Sequence, residues 1–185
     1  MPWIQTVDNK DAKVKLKKIY KQLKKQRGKI SNIMKVQSLN AAAMQKHLEL
    51  YYTIMFSDSS LKREECEMIA TVVSAINKCE YCINHHAEAL NHYWKDKSKL
   101  KKLIQDYRSI KLTKKERSLL DYSVKLTEKA EAVSQEDIKN LRNNGFSDKD
   151  ILNINLVVSY FNFVNRIALG LGVEFTPEEV SGYEY

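Results

Sequence analysis

The sequence is poor in the residues that interrupt regular structure, with only five glycines and two prolines among 185 residues. An all-β fold needs turn residues at short, regular intervals, so this scarcity argues against one. The sequence also lacks an apolar run of about 18 residues, the length that spans a membrane as a helix. Its densest apolar stretch, INLVVSYFNFV (154–164), is shorter and is interrupted by Asn and Ser. We therefore expect no membrane-spanning segment.

Cysteine is scarce too, and the first residues carry no secretory pattern. The start, MPWIQTVDNK, has no basic segment followed by an apolar one, so we expect a cytoplasmic location. Three cysteines in such a chain do not indicate a disulfide framework. In a reducing compartment, a close pair of cysteines is more typical of catalysis or of metal binding.

What the sequence does contain in excess is positive charge, with a formal net charge of +8. Such an excess can indicate nucleic-acid binding. The lysines, however, are concentrated in two stretches, residues 10–29 and 95–117, and are rarely interleaved with aromatic residues. Runs of this kind are typical of solvated helix faces. We expect no nucleic-acid partner.

Helical patterns cover most of the chain, and several helix ends carry recognisable signals. Thr113 with Glu116 has the spacing of a capping box, Gly28 is placed to end the first helix, and Ser60 is placed to cap a later one. We predict helices over residues 9–26, 31–56 (one or two helices), 61–76, 113–130, 134–145 and 147–169. The prediction is an all-α fold in which residues 1–185 form one domain.

The stretch NKCEYCINHH (77–86) holds the densest group of reactive side chains. On one unbroken helix, Glu67 would lie about 18 Å from Cys79 along the axis. Asn77, however, favours a turn, and a reversal there would produce two antiparallel helices. Glu67 and His86 would then lie at similar depth, side by side. The alternative is a solvent-facing Glu67, since it lies roughly opposite the apolar stripe of its helix.

The helical wheel separates the two neighbouring histidines. Cys79, Cys82 and His86 lie along one flank of the second helix, and Cys82 and His86 are neighbours at i and i+4. His85 points to the other side on the same wheel. We therefore select His86, and not His85, as the histidine that serves the cysteines.

This arrangement suits thiol chemistry. A thiol attacks only as the thiolate, and the start of a helix favours negative charge. His86 can accept the thiol proton, and Glu67 can orient His86 and hold its charge. The second cysteine lets an oxidised sulfur close into a disulfide before it is oxidised further.

Two other uses of the same residues are open at this point. Cys79, Cys82, His86 and Glu67 could supply four zinc ligands in a non-enzymatic interaction module, although structural zinc sites usually add a second Cys or His pair. Cys66 does not provide it, since it lies on the other side of its helix and is most simply a core residue. The pair could also serve a thiol–disulfide reductase or adaptor that passes electrons to a partner protein. A thioredoxin-type site is disfavoured because no strand precedes the CxxC.

The pattern Glu67-x11-Cys79-x2-Cys82-x3-His86 resembles the signature of the alkyl hydroperoxidase D branch of the carboxymuconolactone decarboxylase superfamily. The wider stretches REECEMIATVVSAINKCEYCINHHAEAL (63–90) and NFVNRIALGLGVEF (162–175) resemble the peroxidase-related proteins of that branch. The resemblance implies an all-helical fold with the CxxC at the N-terminus of a central helix, and assembly into trimers or hexamers. It also implies an antioxidant activity, the thiol-dependent reduction of hydroperoxides. The decarboxylase branch lacks the CxxC pair.

Transferred by position, the resemblance implies a role for each site residue. Cys82 is the peroxide-attacking thiol, Cys79 is the resolving cysteine that faces the reductant, and His86 with Glu67 forms the proton relay. The expected partners are a hydroperoxide and an unidentified thiol reductant, with no cofactor beyond the redox-active disulfide and no metal. One position departs from the family: Tyr81 replaces a histidine that joins the relay in the best-known members. Tyr81 is therefore a possible secondary site residue, and we expect a relay that is shorter or runs differently.

Overall fold

The computed structural model describes residues 2–56, 61–176 and 179, and in these residues it contains helices and no strand. The all-α prediction is confirmed. No helix in the described residues is long and apolar enough to cross a membrane. Two short 3₁₀ turns cover Tyr107–Ser109 and Ala130–Ala132. The α-helices are α1 Val14–Arg27, α2 Asn32–Lys35, α3 Ala41–Phe56, α4 Arg63–Ile76, α5 Glu80–Trp94, α6 Lys97–Gln105, α7 Lys114–Glu128, α8 Gln135–Asn143 and α9 Asp148–Gly170.

Local signals account for several of the helix ends. Gly28 ends α1 with a φ of 77°, a conformation that suits glycine because it has no side chain. Capping boxes begin α7, α8 and α9, with Thr113, Ser134 and Ser147 as the N-cap residues. Ser60, which we expected to cap α4, lies outside the described residues, and Lys62 occupies the N-cap position of α4.

Helix α4 is the centre of the fold, packed by α5, α7 and α9. Every residue from Cys66 to Ser74 is buried, so α4 presents no solvent-facing side over that stretch. Its small residues allow neighbouring helices to pack closely on the face that bears Glu67. Glu67 is fully buried as a result, and the alternative of a solvent-facing Glu67 is wrong.

The chain reverses between α4 and α5, where the sequence indicated a turn. Asn77 is the C-cap of α4, and Lys78 adopts a left-handed φ of 55°. The backbone N–H of Cys79 donates to the carbonyl of Ser74 at 2.9 Å and closes the turn. Cys79 is then the N-cap of α5, so the two cysteines occupy the first turn of that helix.

Two hydrophobic cores meet beside this hairpin. The larger core surrounds α4 and includes residues of α3, α5, α7 and α9. A smaller core joins α1, α2 and α3 through Leu16, Ile19, Tyr20, Leu23, Met34, Met44 and Leu48. A cavity lies at the junction of the two cores. Its wall includes residues of both cores and residues of α5.

Candidate active site

The cavity has a volume of about 80 Å³. Most of its wall is apolar or aromatic, and a few polar groups converge on it, which is the usual make-up of a small-molecule site. Among the predicted site residues, it brings together Glu67, Tyr81, Cys82 and His86. The apolar and aromatic lining consists of Leu23, Ile33, Met34, Leu48, Tyr51, Ala89, Tyr160, Phe161 and Val164.

Glu67 joins α4 to α5 through a short contact with His86. His86 Nδ1 lies 2.7 Å from Glu67 Oε2, and Glu67 Oε1 accepts a hydrogen bond of 2.8 Å from Arg63 Nε. Burial would raise the pKa of Glu67, but His86 and Arg63 outweigh burial and lower this pKa. Glu67 is therefore a buried carboxylate that keeps its negative charge.

This contact also determines the tautomer of His86. A carboxylate oxygen only accepts hydrogen bonds, so Nδ1 must carry the proton that it donates to Glu67. Nε2 of the neutral ring is then free of a proton and can accept one. Phe161 holds the other side of the ring in place, with the two ring centroids 4.4 Å apart. Cys82 lies one helical turn before His86, on the same cavity.

The two cysteines differ in their surroundings and in their protonation. Both are almost fully buried thiols, but Cys82 lines the cavity and Cys79 does not. The Cys82 thiol donates a hydrogen bond to the sulfur of Cys79, which lowers the pKa of Cys79 against the effect of burial. The same hydrogen bond, together with burial, raises the pKa of Cys82. In the reduced pair, Cys79 therefore loses its proton more readily than Cys82, so an attack by Cys82 requires a base that removes the Cys82 proton.

Tyr81 does not join the contact between Glu67 and His86. Its hydroxyl donates to Glu179 Oε1 at 2.9 Å, and its ring lies 4.4 Å from the ring of His85. His85 Nε2 lies 3.4 Å from Glu179 Oε2. Tyr81 thus lies beside a second carboxylate–histidine pair, Glu179 with His85.

The wheel predicts that His85 points away from the site. Contrary to this prediction, His85 faces the site. It lines the cavity, on the flank of α5 covered by α2 and Glu179. The wheel placed His85 only relative to the other side chains of α5, so it could not show what packs against the flank that bears His85. Burial lowers the pKa of His85, although Glu179 partly opposes the effect.

The sequence analysis missed several residues of this cavity. Arg63 binds Glu67 from one turn earlier on α4, and its i, i+4 spacing from Glu67 was a usable signal. His47 also lines the cavity, where its Nδ1 lies 2.9 Å from Gln37 Oε1 and its Nε2 lies 2.7 Å from the Tyr160 hydroxyl. No local pattern joins these three residues, which come from separate segments. Burial lowers the pKa of His47 to about 4.

Two further questions from the sequence concern Cys66 and the four candidate zinc ligands. Cys66 is a buried core residue, and burial raises its pKa to about 12. Within the described residues, no group of three or more His, Cys, Asp or Glu side chains is placed to hold a metal ion. Both oxygens of Glu67 are already bonded, one to Arg63 and one to His86. The four candidate zinc ligands therefore do not form a metal site in this part of the chain.

Comparison with known proteins gives consistent matches. Residues 42–106, which include Glu67, Cys79, Cys82 and His86, match the model of the carboxymuconolactone decarboxylase family. The fold is similar to an uncharacterized peroxidase-related protein from Silicibacter sp. TM1040, with a TM-score of 0.88 and 28% identity over 97% of this chain and 94% of that one. No curated protein matches the sequence.

Two further structures share the fold at lower identity. A peroxidase-related protein from Ralstonia eutropha JMP134, described as an alkylhydroperoxidase AhpD core, has a TM-score of 0.88 and 22% identity over 97% of this chain and 94% of that one. The debrominase Bmp8, in complex with 2,3,4-tribromopyrrole, has a TM-score of 0.79 and 15% identity over 95% of this chain and 92% of that one. The resemblance seen in the sequence is thus confirmed: residues 42–106 match the carboxymuconolactone decarboxylase family model, and the chain has the fold of the AhpD-like, peroxidase-related proteins.

Proposed function

We propose that this protein is a thiol-dependent peroxidase that reduces hydroperoxides through Cys82 and Cys79. One observation carries the proposal: Cys82 lines the same cavity as His86, and Nδ1 of His86 is hydrogen-bonded to the buried, charged Glu67, which leaves Nε2 to act as the base. That geometry supplies a thiol, a base one helical turn away, and a carboxylate that stabilises the base once it is protonated.

The first step consumes the peroxide. His86 Nε2 takes the proton of Cys82, and the Cys82 thiolate attacks the terminal oxygen of the hydroperoxide. The S–O bond forms as the O–O bond breaks, and the leaving alkoxide receives the proton held by His86. The products are an alcohol and a sulfenic acid on Cys82.

The second step closes the disulfide. The Cys79 thiolate attacks the sulfenic sulfur of Cys82, and the displaced hydroxide takes up a proton and leaves as water. The position of Cys79 as the N-cap of α5 supports this role, because the start of a helix favours the negative charge of a thiolate. An external thiol reductant small enough to enter the cavity beside Cys82 then supplies two electrons and two protons to restore both cysteines. No metal or other cofactor takes part.

A reductase or adaptor for partner proteins is less well supported by the geometry. Cys79 is 1% exposed and Cys82 is 2% exposed, so a disulfide on another protein cannot reach either sulfur without a rearrangement of the site. A small hydroperoxide can enter the cavity that Cys82 already lines. The burial of both sulfurs therefore favours a small-molecule substrate over a protein one.

Reductive debromination is a second candidate, favoured by the aromatic wall that Tyr51, Tyr160 and Phe161 form around the thiol cavity. The debrominase of this fold binds a brominated pyrrole. Here the cysteine pair would supply two electrons, hydrogen would replace bromine on the ring, and bromide and the Cys79–Cys82 disulfide would be the products. An assay with 2,3,4-tribromopyrrole in place of peroxide tests this candidate directly.

We also propose that the chain forms a homo-oligomer, as the resemblance implies. The burial of α4 is no argument for it, since helices of the same chain cover α4. Support comes from α9, where Leu152, Leu156 and Phe163 are 58%, 38% and 48% exposed. Light scattering that gives a monomer at micromolar concentration would contradict this proposal. The cytoplasmic location and the single domain over residues 1–185 stay predictions.

Stopped-flow mixing of the reduced protein with peroxide tests the peroxidase. Wild type should consume peroxide and form the Cys79–Cys82 disulfide, with Cys66 still reduced by mass spectrometry. Cys82→Ser should abolish consumption, and Cys79→Ser should react once and retain a sulfenic acid on Cys82. A Cys82→Ser protein that forms a sulfenic acid on Cys79 would reverse the two roles, and a wild type that consumes no peroxide would exclude the function.

A further inference from the structure

A chain of three hydrogen bonds runs along the cavity wall, from α2 to α9. Gln37 Nε2 lies 2.7 Å from the carbonyl oxygen of Ile33, and Gln37 Oε1 lies 2.9 Å from Nδ1 of His47. Nε2 of His47 lies 2.7 Å from the hydroxyl of Tyr160. His47 and Tyr160 are buried and both line the cavity, so the direction of these hydrogen bonds determines what this wall offers to a ligand.

Ile33 determines the direction of the chain. Its carbonyl oxygen can only accept, so the amide nitrogen of Gln37 faces it and the amide oxygen faces His47. Nδ1 of His47 must therefore carry the proton that it donates to Gln37. Burial lowers the pKa of His47 to about 4, so near pH 7 the ring is neutral and Nε2 has no proton. Tyr160 must then donate its only hydroxyl hydrogen to His47.

The Tyr160 hydroxyl oxygen is thereby left as an acceptor, because a phenol oxygen that donates its hydrogen can still accept one. Burial raises the pKa of Tyr160 well above its usual value, so the hydroxyl keeps its hydrogen at neutral pH. Cys82 lines the same cavity, whose volume of about 80 Å³ has room for only a few water-sized groups. A small ligand in contact with Cys82 is therefore within reach of Tyr160.

Several other polar groups on this wall are unable to accept a hydrogen bond from a substrate. Arg27 and Arg63 can only donate. Both oxygens of Glu67 are already bonded, and Nε2 of His86 is the base that takes the Cys82 proton. Tyr160 is thus an acceptor that the wall offers to a substrate that carries its own hydrogen-bond donor.

We propose that Tyr160 is a substrate-binding residue whose hydroxyl oxygen accepts a hydrogen bond from the O–H of the hydroperoxide. The proposal rests on the peroxidase function, in which Cys82 attacks the terminal oxygen, the one that bears this hydrogen. The hydrogen bond holds that oxygen beside Cys82 and so positions the reacting atoms. The hydrogen stays on the transferred oxygen, so the sulfenic acid on Cys82 donates to Tyr160 in turn, while His86 protonates the leaving alkoxide.

The test measures binding without turnover, in a parent protein that carries Cys79→Ser and Cys82→Ser. The two probes are ethyl hydroperoxide and ethyl methyl peroxide, which differ in that a methyl group replaces the hydroxyl hydrogen. NMR titration gives the dissociation constant of each. Tyr160→Phe removes the hydroxyl and keeps the ring, so it should weaken binding of ethyl hydroperoxide about three- to tenfold, as expected for one neutral hydrogen bond. Binding of ethyl methyl peroxide should change by less than about twofold.

Tyr122→Phe is the matched control. Tyr122 is also a buried tyrosine whose hydroxyl contacts α9, through Asn155 Nδ2 at 2.8 Å, but it does not line the cavity. Its loss should leave both dissociation constants unchanged. Nitrogen-15 NMR of His47 in the parent protein checks the direction of the chain, and it should show the neutral tautomer with the proton on Nδ1.

The outcomes separate this proposal from the proposed function. Equal weakening of both probes by Tyr160→Phe, no weakening of either, or a parent protein that binds neither would overturn the role of Tyr160, even if the wild type is an active peroxidase. A His47 proton on Nε2 would overturn it too, because the Tyr160 oxygen would then accept from His47. Selective weakening of ethyl hydroperoxide, with no peroxide consumption by the wild type, would support the contact and exclude the peroxidase. If Tyr160→Phe does not fold, the preference of the parent protein between the two probes and the His47 tautomer decide the question.

Discussion

Two adjacent histidines on α5 each face a buried carboxylate, and the two pairs are built differently. His86 is paired with Glu67, which lies on the central helix and is fully buried between packed helices. His85 is paired with Glu179, which lies near the C-terminus and also contacts Tyr81. The histidine nitrogen lies 2.7 Å from the carboxylate oxygen in the first pair and 3.4 Å from it in the second, so the first contact is the closer one.

The difference shows that a histidine acquires its role from its partner rather than from its position in a helix. Arg63 compensates the charge of Glu67 and fixes it in place, so Glu67 can orient His86 in one tautomer. Glu179 instead joins a wider set of groups, with the backbone N–H of Asn32 at 2.6 Å and Lys29 Nζ at 3.9 Å. We infer that the Glu67 pair serves proton transfer and that the Glu179 pair holds the cavity wall together.

The largest expected effect tests the first pair. His86→Ala should slow disulfide formation at pH 7 by roughly 100-fold to 10,000-fold, the usual contribution of a general base. Raising the pH should partly restore the rate, because hydroxide can then generate the thiolate. Stopped-flow kinetics with peroxide give this comparison, and a wild-type rate for His86→Ala at pH 7 would show that the relay is wrong. Tyr81 would then be the next residue to test as the base.

Glu67→Gln should cause a similar or smaller loss of rate, since it removes the orienting charge but leaves the imidazole. It should also lower the free energy of unfolding by about 1–3 kcal/mol, the usual loss when a charged hydrogen-bond partner is removed. Because folding lowers the pKa of Glu67, its contribution to stability is present at neutral pH and is lost as the pH falls through the folded-state value. Urea unfolding at several pH values should show this loss in wild type and not in Glu67→Gln.

His47 extends the comparison to a cavity histidine that contacts an amide and a hydroxyl, Gln37 and Tyr160, where the other two histidines contact a carboxylate. Its pKa is about 4 in the folded protein and 6.5 in an ordinary environment, so the unfolded state binds the proton more readily between these values. Lowering the pH from 6.5 to 4 should therefore cost roughly 3 kcal/mol of stability through this residue. The acid-dependent loss should be smaller in His47→Gln, and identical unfolding curves against pH would contradict the assignment.

The smallest effects are expected in the second pair. His85→Ala and Glu179→Gln should each change the rate of disulfide formation by less than about tenfold, below the range of a general base. The same stopped-flow assay provides the measurement, with His86→Ala as the reference. A His85→Ala protein as slow as His86→Ala would remove the distinction between the two pairs and place His85 in the relay.

Much of the first pair could be predicted because its signals are local. A turn residue between two helical patterns predicted the reversal at Asn77, and equal distances from that turn predicted that Glu67 and His86 would lie side by side. The second pair could not be predicted in this way. Glu179 is remote from α5 in sequence, and no periodicity in α5 indicates what covers its other flank.

The sequence by itself determined most of the helices, though not α6, several of their caps, the position of the cysteines at the start of α5, and the register of Glu67 against His86. These follow from hydrogen bonding and side-chain spacing within a few turns of one another. Only the tertiary structure decided that Arg63 neutralises Glu67 while Glu67 stays buried, that His85 lies on the cavity wall, and that Tyr160 of α9 reaches His47. Those contacts depend on how α9, α3 and the C-terminal residues pack against the hairpin, and the packing of remote segments is set by the shape of the whole core.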